Sequence, residues 1–352
     1  MILKRQFERL LLRPSDLTPL RDDFEVVGAF NPGAIFANGE VILLVRVAER
    51  PREKRAGYVA LPRWSPGIGL EIDWLANDEV EVLDPRVVKR KADGLVRLTF
   101  ISHLRVVRCG DGRSVNEITD VRFLPETDVE EFGVEDPRIT ELDGRFYFTY
   151  VSVSRHGAGT ALASTIDFKS FERHGMIFCP ENKDVVLFPE RIGGEFVALH
   201  RPNAATPFCR PEMWVARSPD LIHWGRHECL HGGGASWETG RVGAGTPPVR
   251  AADGWIEIYH GNRQPTQRGE VGMYSTGVLL LDLDNPSRIR RRTAASIFEP
   301  TADFERHGFV PDVVFPTGIV QSQGCFLVYY GAADSCTAVV EFSLDDVLSA
   351  LS

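Results

Sequence analysis

Apolar runs of strand length alternate with turns along most of the chain, and almost no stretch shows the three-to-four-residue spacing of an amphipathic helix. One unit recurs: a segment holding a proline, a short apolar run, a glycine-containing turn, then a second run rich in β-branched and aromatic residues. It reads as strand, hairpin, strand. Copies are Asn31-Pro-Gly-Ala-Ile with Val41 to Val47, Asp84-Pro-Arg-Val-Val with Leu95 to Ile101, and Asp136-Pro-Arg-Ile with Phe146 to Val151. Later copies are Leu187-Phe-Pro-Glu-Arg-Ile with Phe196 to Leu199, Thr246-Pro-Pro-Val with Trp255 to Tyr259, and Val314-Phe-Pro-Thr-Gly-Ile with Phe326 to Tyr330.

The marker prolines Pro32, Pro85, Pro137, Pro189, Pro248 and Pro316 are spaced by 53, 52, 52, 59 and 68 residues. Between them lie further strand-like runs, such as Ala161 to Phe171 and Trp214 to Trp224, which supply a third and fourth strand per period. Four short antiparallel strands in a repeat near fifty residues predict an all-β fold of β-propeller type, forming a single domain over residues 1–352. The one helix expected is terminal, Leu344 to Leu351, capped by Ser343 with Asp345 and Asp346 in its first turn.

Composition narrows the class of partner. The 352 residues carry a net charge of −9, which removes the electrostatic footprint of a nucleic-acid binder. The N-terminal segment lacks the apolar core of a signal peptide, and no run reaches membrane-span length, so no membrane partner and a cytoplasmic location are expected. Six cysteines without a Cys-x-x-Cys pair read as free thiols, with no metal site. A homo-oligomer is compatible with all of this.

The stretch Gly133 to Thr140 places Glu135, Asp136 and Arg138 around Pro137. Proline fixes its own φ and pushes the preceding residue toward extended backbone, so the Asp136 carboxylate is expected to be held at a strand mouth. A held carboxylate suits acid–base work; the same residues also read as a surface ion pair beside a strand start. The repeat supplies more candidates, because inner strands of a propeller converge on one axis. Arg201 and His260 each stand twelve residues after a marker proline, and Lys183 and Arg241 stand six and seven residues before the same two markers. Four bases gathered without matching acids would repel one another unless an anion sits among them, and phosphate is the obvious anion.

On these residues the sequence resembles glycoside hydrolase family 130, the five-bladed β-propeller mannoside phosphorylases and related β-mannosidases. The resemblance spans nearly the whole chain. It is carried by Asn31-Pro-Gly with Leu44 to Arg46, Gly133-Val-Glu-Asp-Pro-Arg-Ile, Leu187-Phe-Pro-Glu with His200-Arg-Pro, Ser218-Pro-Asp-Leu-Ile-His-Trp, Val242-Gly-Ala-Gly-Thr-Pro-Pro with Ile258-Tyr-His-Gly, and Val314-Phe-Pro-Thr-Gly with Tyr329-Tyr-Gly-Ala-Ala-Asp. It implies an inverting reaction in which Asp136 is the general acid, delivering its proton through the 3-hydroxyl of a bound mannose. Inorganic phosphate, held by Lys183, Arg201, Arg241 and His260, attacks the anomeric carbon and gives α-mannose 1-phosphate. By the same resemblance Asp334 contacts sugar, and Asn31, Arg46 and Arg138 serve substrate binding or its support. No cofactor is implied, phosphate being a co-substrate alongside the β-mannoside.

Two departures stand out. The family's phosphorylases often have arginine and lysine where this chain has Lys183 and Arg241, which moves the bidentate fork from one position to the other. The stretch from Asp84 to Glu126 adds a sixth marker to a five-bladed family, so it is an elaborated blade, an insertion over the site, or a sixth blade. Two rival functions share the sequence. An inverting β-1,2-mannosidase would use a carboxylate base, with Glu212 the first candidate and Glu190 and Glu238 the others. A non-catalytic sugar-binding propeller would stack sugars on Trp214, Trp224, Trp237 or Tyr274. Acceptor preference is assigned to the loops Pro51 to Gly57, His156 to Thr160 and Asn262 to Glu270.

Overall fold

Runs rich in Val, Ile, Leu and aromatic residues are stable as paired strands when each side-chain row meets a neighbouring sheet. The computed structural model of the protein describes residues 2–203, 210–234, 237–264 and 271–351. Most of its strands fall into five antiparallel groups. The first comprises Phe24–Ala37, Glu40–Pro51, Ile101–Cys109 and Glu117–Phe123, and the second Gly133–Leu142, Arg145–Ser154, Gly157–Thr165 and Glu172–Phe178. A single parallel pairing, Gly133 with Ser102, links these two into one sheet. The third group is Asn182–Leu187, Phe196–Pro202, Met213–Ser218 and Gly225–His231.

In the fourth group the leading strand is split into Val242–Ala244 and Val249–Ala251, because Pro247 and Pro248 lack the N–H that a continuous ladder needs. Gly254–Asn262, Tyr274–Leu281 and Ile289–Arg292 complete it. The fifth group takes Val314–Ser322, Cys325–Ala332 and Cys336–Ser343 from the end of the chain and Phe7–Leu12 from its beginning, with Phe7 opposite Glu341.

Five apolar clusters lie between the groups. Leu44, Leu104 and Val106 of the first group meet Val134, Phe148 and Tyr150 of the second. Leu162 and Ile177 of the second meet Leu187 and Ala198 of the third, and Leu199 and Val215 of the third meet Trp255 and Leu279 of the fourth. Ile258 and Val278 of the fourth meet Val328 and Tyr330 of the fifth, and Leu327 and Tyr329 of the fifth return to Leu43 and Val45 of the first. Each group is thus sealed against its two neighbours. At the centre the leading strands nearly touch: a Cβ on Gly33 would lie 2.9 Å from the Pro137 carbonyl oxygen, and one on Gly318 would lie 2.7 Å from the Ala34 nitrogen. Glycine is what the spacing admits there.

The sixth marker does not start a group. Pro85 lies in the turn between Val80–Asp84 and Val87–Arg90, strands that pair with Val96–Leu98 in a small three-stranded sheet. Tyr58–Ser65 and Gly69–Ala76 form a separate hairpin, so residues 58–98 are an insertion between the second and third strands of the first group. The terminal helix, Leu344–Ser349, is capped as expected by Ser343 Oγ, which accepts from the Asp346 N–H. A four-residue helix at Asp303–Arg306 was not foreseen. Among the described residues no helix is long and apolar enough to cross a membrane. Cys109, Cys179, Cys325 and Cys336 are free thiols, and Cys209 lies outside the described residues.

Candidate active site

In three successive groups the leading strand shifts register at one residue whose φ is positive: Asn31 at 49°, Asp136 at 49° and Asp184 at 56°. The extended geometry expected of Asp136 before proline is therefore overturned. A bulge outweighs the proline preference there, and short Asn and Asp side chains tolerate the left-handed region better than most. Local contacts hold the turn, with Arg138 Nη1 donating to the Asp136 carbonyl at 2.8 Å. The repeated bulge re-aims a polar side chain inward at each site. On the second strands, Arg46 pairs opposite Phe30 and Arg201 opposite Lys183, the residues just before the bulges, so the two arginines are also equivalent.

These residues line a cavity of about 310 Å³ to which all five groups contribute. Asn31 and Arg46 come from the first group, Glu135 and Asp136 from the second, Lys183, Asp184 and Arg201 from the third, Arg241 and Tyr274 from the fourth, Phe315 and Asp334 from the fifth. Arg86 and Val87 reach in from the insertion.

One wall is acidic. Arg46 donates through Nη2 to Glu135 Oε1 at 2.6 Å and through Nη1 to Asp136 Oδ1 at 2.9 Å, while Asn31 Nδ2 donates to the same Oδ1 at 2.8 Å. Burial alone would raise the Asp136 carboxyl, but Arg46, Arg138, Asn31 and Lys183 together outweigh it and hold the group below its ordinary value. This reverses the raised value a general acid suggests. Asp334 behaves oppositely: burial, helped by Asp136 and Glu135 and resisted by Arg86 and Arg46, pushes it up to about 6.

The other wall is cationic. Arg201 is buried, and its Nε and Nη1 have no hydrogen-bond partner among the described residues. Lys183 is half-buried and Arg241 exposed at the rim. The expectation of bases without an acid needs correction, because Asp184 stands among them: 3.1 Å from Arg201 Nη2, 3.2 Å from His260 Nε2 and 3.4 Å from Arg138 Nη2. Burial opposes its charge, yet Arg201, His260 and Arg138 hold the carboxyl well below the usual range. His260 is fully buried behind the wall against Phe315, and burial, reinforced by Arg201 and Arg138, keeps its imidazole below its ordinary value despite Asp184. The neutral imidazole is thereby favoured, and the cations that line the cavity on this wall are Lys183, Arg201 and Arg241. Arg138 is likewise buried behind the cavity, reaching Gly245 O at 3.4 Å.

The carboxylates proposed as hydrolytic bases lie elsewhere. Glu212 is 3.5 Å from Cys229 Sγ beside Gly232, Glu190 pairs with Arg250 on the surface, and buried Glu238 accepts from Tyr259 Oη at 2.8 Å and meets His231 at 3.0 Å. None lines the cavity. Of the four aromatics considered for stacking, Tyr274 alone lines it. Loop residues 265–270 lie outside the described residues. Sequence reasoning missed Asp184 and Arg86. Asp184 carried a readable signal, since it repeats the placement of Asn31 and Asp136, but Pro189 falls past the end of its strand and set the alignment off by several residues.

A buried acid pair, Glu135 and Asp136, thus faces a cationic wall that Asp184 neutralises in part, in the centre of an all-β body, and comparison with known proteins places the chain in the carbohydrate-active class. The chain belongs to glycoside hydrolase family 130, whose model, described as beta-1,4-mannooligosaccharide phosphorylase, matches residues 98–352. It is 37% identical to a beta-1,2-mannobiose phosphorylase of Listeria innocua over all of this chain and 99% of that protein. It is 34% identical to a 1,2-beta-oligomannan phosphorylase of a Thermoanaerobacter species over 70% of this chain and 81% of that one. The solved structure of a Listeria innocua beta-1,2-mannobiose phosphorylase in complex with beta-1,2-mannobiose superposes with a TM-score of 0.90, covering 97% of this chain and 96% of that one.

Proposed function

We propose that the protein is an inverting β-mannoside phosphorylase acting on a β-1,2-linked mannoside, with inorganic phosphate as co-substrate and α-mannose 1-phosphate as product. The five strand groups, sealed in a ring, are read as the blades of one five-bladed propeller, a single catalytic domain with the active site on its axis. The observation that carries the reaction type is Arg201: a buried guanidinium, two of whose nitrogens have no partner among the described residues, lines a cavity that Lys183 and Arg241 also line. An oxyanion satisfies such donors by charge-assisted hydrogen bonds. Asp184 fixes the arginine's orientation without neutralising all three cations.

Asp136 is the general acid. Both of its side-chain hydrogen bonds fall on Oδ1, which leaves Oδ2 to carry the proton toward the sugar. Arg46 and its neighbours favour the ionised carboxylate. A phosphate dianion beside Lys183 adds negative charge to the cavity and raises the carboxyl, so protonation is coupled to binding of the co-substrate. Glu135 and Asp334 flank Asp136 and bind sugar hydroxyls; Asn31 and Arg46 orient the acid. A hydrolytic base on the cationic wall is disfavoured, since Asp184, the carboxylate there, is held too acidic to accept a proton. No organic cofactor is required by these steps.

The test is incubation with β-1,2-mannobiose with and without inorganic phosphate, following mannose 1-phosphate and free mannose. Expected are phosphate-dependent cleavage and no change in the Glu212→Gln variant. Full-rate release of free mannose in phosphate-free buffer would overturn the reading in favour of hydrolysis.

A further inference from the structure

The insertion at 58–98 brings one charged side chain into the cavity. Arg86 stands at the tip of the turn that holds the sixth marker proline, and its Nη1 lies 3.3 Å from Asp334 Oδ2. The two residues are far apart in the chain, Arg86 in the insertion of the first group and Asp334 just after the second strand of the fifth. The tip is itself fixed: the Arg86 backbone N–H donates to Asp84 Oδ1 at 2.7 Å, and the Thr99 N–H donates to the Arg86 carbonyl at 2.9 Å. The side chain is held more loosely. Its Nε and Nη2 reach Asp84 at 3.3 and 3.4 Å, and these contacts, like the one to Asp334, are longer than the 2.7–2.9 Å usual for charge-assisted hydrogen bonds.

We propose that Arg86 is a positioning and specificity residue for the sugar, its planar fork orienting Asp334 and offering its remaining N–H groups to hydroxyls of the acceptor unit. This deepens the phosphorylase reading and rests on it. The chemistry follows from placement. Arg86 borders the cavity within reach of Asp334, and it also lines, with Arg241, a neighbouring cavity of about 470 Å³, so the effect on phosphate is measured beside the effect on sugar. Asp334 faces Arg86 and Arg46 as cations and Asp136 and Glu135 as anions, and of the two cations Arg86 opposes the effect of burial more strongly. A carboxylate so crowded by acids accepts hydroxyl hydrogen bonds in its ionised form only while a cation stays beside it. Loosely engaged donors can also turn from Asp84 to a sugar oxygen without leaving a buried group unpaired, because Asp84 is partly exposed to water.

Sign follows directly. Arg86 lowers the Asp334 carboxyl, so removing it raises that group further above about 6. If sugar binding needs the ionised form, the acidic limb of kcat/KM moves to higher pH. For Arg86→Ala the expected results are a KM for mannoside raised about ten- to a hundred-fold, the value of one or two hydrogen bonds to a charged group, with the KM for phosphate within about twofold of wild type. Arg86→Lys keeps the charge and is expected to restore the acidic limb, but without a planar fork it should not restore discrimination among acceptor sugars when synthesis is run from α-mannose 1-phosphate.

Two measurements do not need turnover: mannose binding by calorimetry, and a carbon-detected titration of the Asp334 carboxyl assigned by its loss in Asp334→Asn. Weaker mannose binding and an upward carboxyl shift in Arg86→Ala support the proposal. An unshifted carboxyl with unchanged mannose affinity overturns it, whatever the wild-type activity. A wild type that releases free mannose without phosphate overturns the phosphorylase reading while these two measurements still decide the role of Arg86.

Discussion

Arg46 Nη1 and Asp136 Oδ1 lie 2.9 Å apart in a buried pocket, and the same guanidinium holds Glu135 through its other terminal nitrogen. Among the neighbours that oppose burial, Arg46 is the largest influence lowering the Asp136 carboxyl. Replacing it with glutamine should therefore raise that carboxyl. A general acid works while protonated, and its contribution disappears as pH rises through its pKa. The basic limb of the kcat profile for Arg46→Gln is expected at higher pH than in wild type, even though the maximal rate falls. A pH–rate series at saturating phosphate checks it, and a limb that stays put or moves down contradicts the assignment of Asp136 as the acid.

Asp136→Asn removes the transferable proton with little change of shape. The variant is expected to lose about 100- to 10,000-fold in kcat while keeping mannose binding within a few-fold. Initial rates of mannose 1-phosphate formation, paired with calorimetry on mannose, separate the two effects. A near-normal rate on an unactivated mannoside would place the acid elsewhere.

The cationic wall offers a contrast between exposed and buried charges. Lys183→Ala and Arg241→Ala should each raise the KM for phosphate about tenfold or more, as expected for one charge-assisted hydrogen bond, with little loss of stability. Arg201→Ala should do the same and also destabilise the fold by about 3–5 kcal/mol, because Asp184 loses a buried partner. Phosphate-dependent kinetics and urea unfolding of the three variants provide the comparison. Equal stability losses for all three would show that Arg201 is not held by the Asp184 pair.

Asp184 makes a prediction of its own about pH. Its folded-state carboxyl lies well below the value near 4 of an unfolded chain, so its stabilising contribution is complete above that value and is lost as pH falls toward the folded one. Asp184→Asn is expected to be less stable by about 3–5 kcal/mol at neutral pH, with the gap to wild type constant above about pH 5 and narrowing below about pH 4. Denaturant unfolding between pH 3 and 7 measures that gap. A gap independent of pH over this range would mean that shape, not charge, accounts for the loss.

The sequence exposed the strands well because each apolar run pairs locally with its neighbour; of the residues that line the cavity, Lys183, Arg201 and Arg241 were visible through the repeat, Asp136 through its Glu-Asp-Pro-Arg stretch and Asn31 through the family resemblance. What it concealed has physical causes. Asp84-Pro85-Arg86 and Asp136-Pro137-Arg138 are the same tripeptide, yet one turns a hairpin in an insertion and the other forms a bulge in a leading strand. Three residues do not set the register; the strands paired around them do. Asp184 was hidden because an acid next to a lysine reads as a solvated pair, whereas its partners are Arg138, Arg201 and His260, brought in from other strands. Glu212 looked like a base near a motif, but it lies just ahead of the strand Met213–Ser218 and does not line the cavity.

The pairing of Phe7–Leu12 with Cys336–Ser343 has a bearing on how the chain comes to fold on the ribosome. Phe7–Leu12 is made long before Cys336–Ser343, the strand it pairs with. Until that late hairpin arrives, the early strand cannot be satisfied by its own neighbours, and the apolar faces of Leu43, Val45, Leu327 and Tyr329 that meet at the same seam stay apart. Contacts of such long sequence separation slow the final step of folding and leave an open strand edge meanwhile. The seam is therefore where nascent chains are most open to capture by one another.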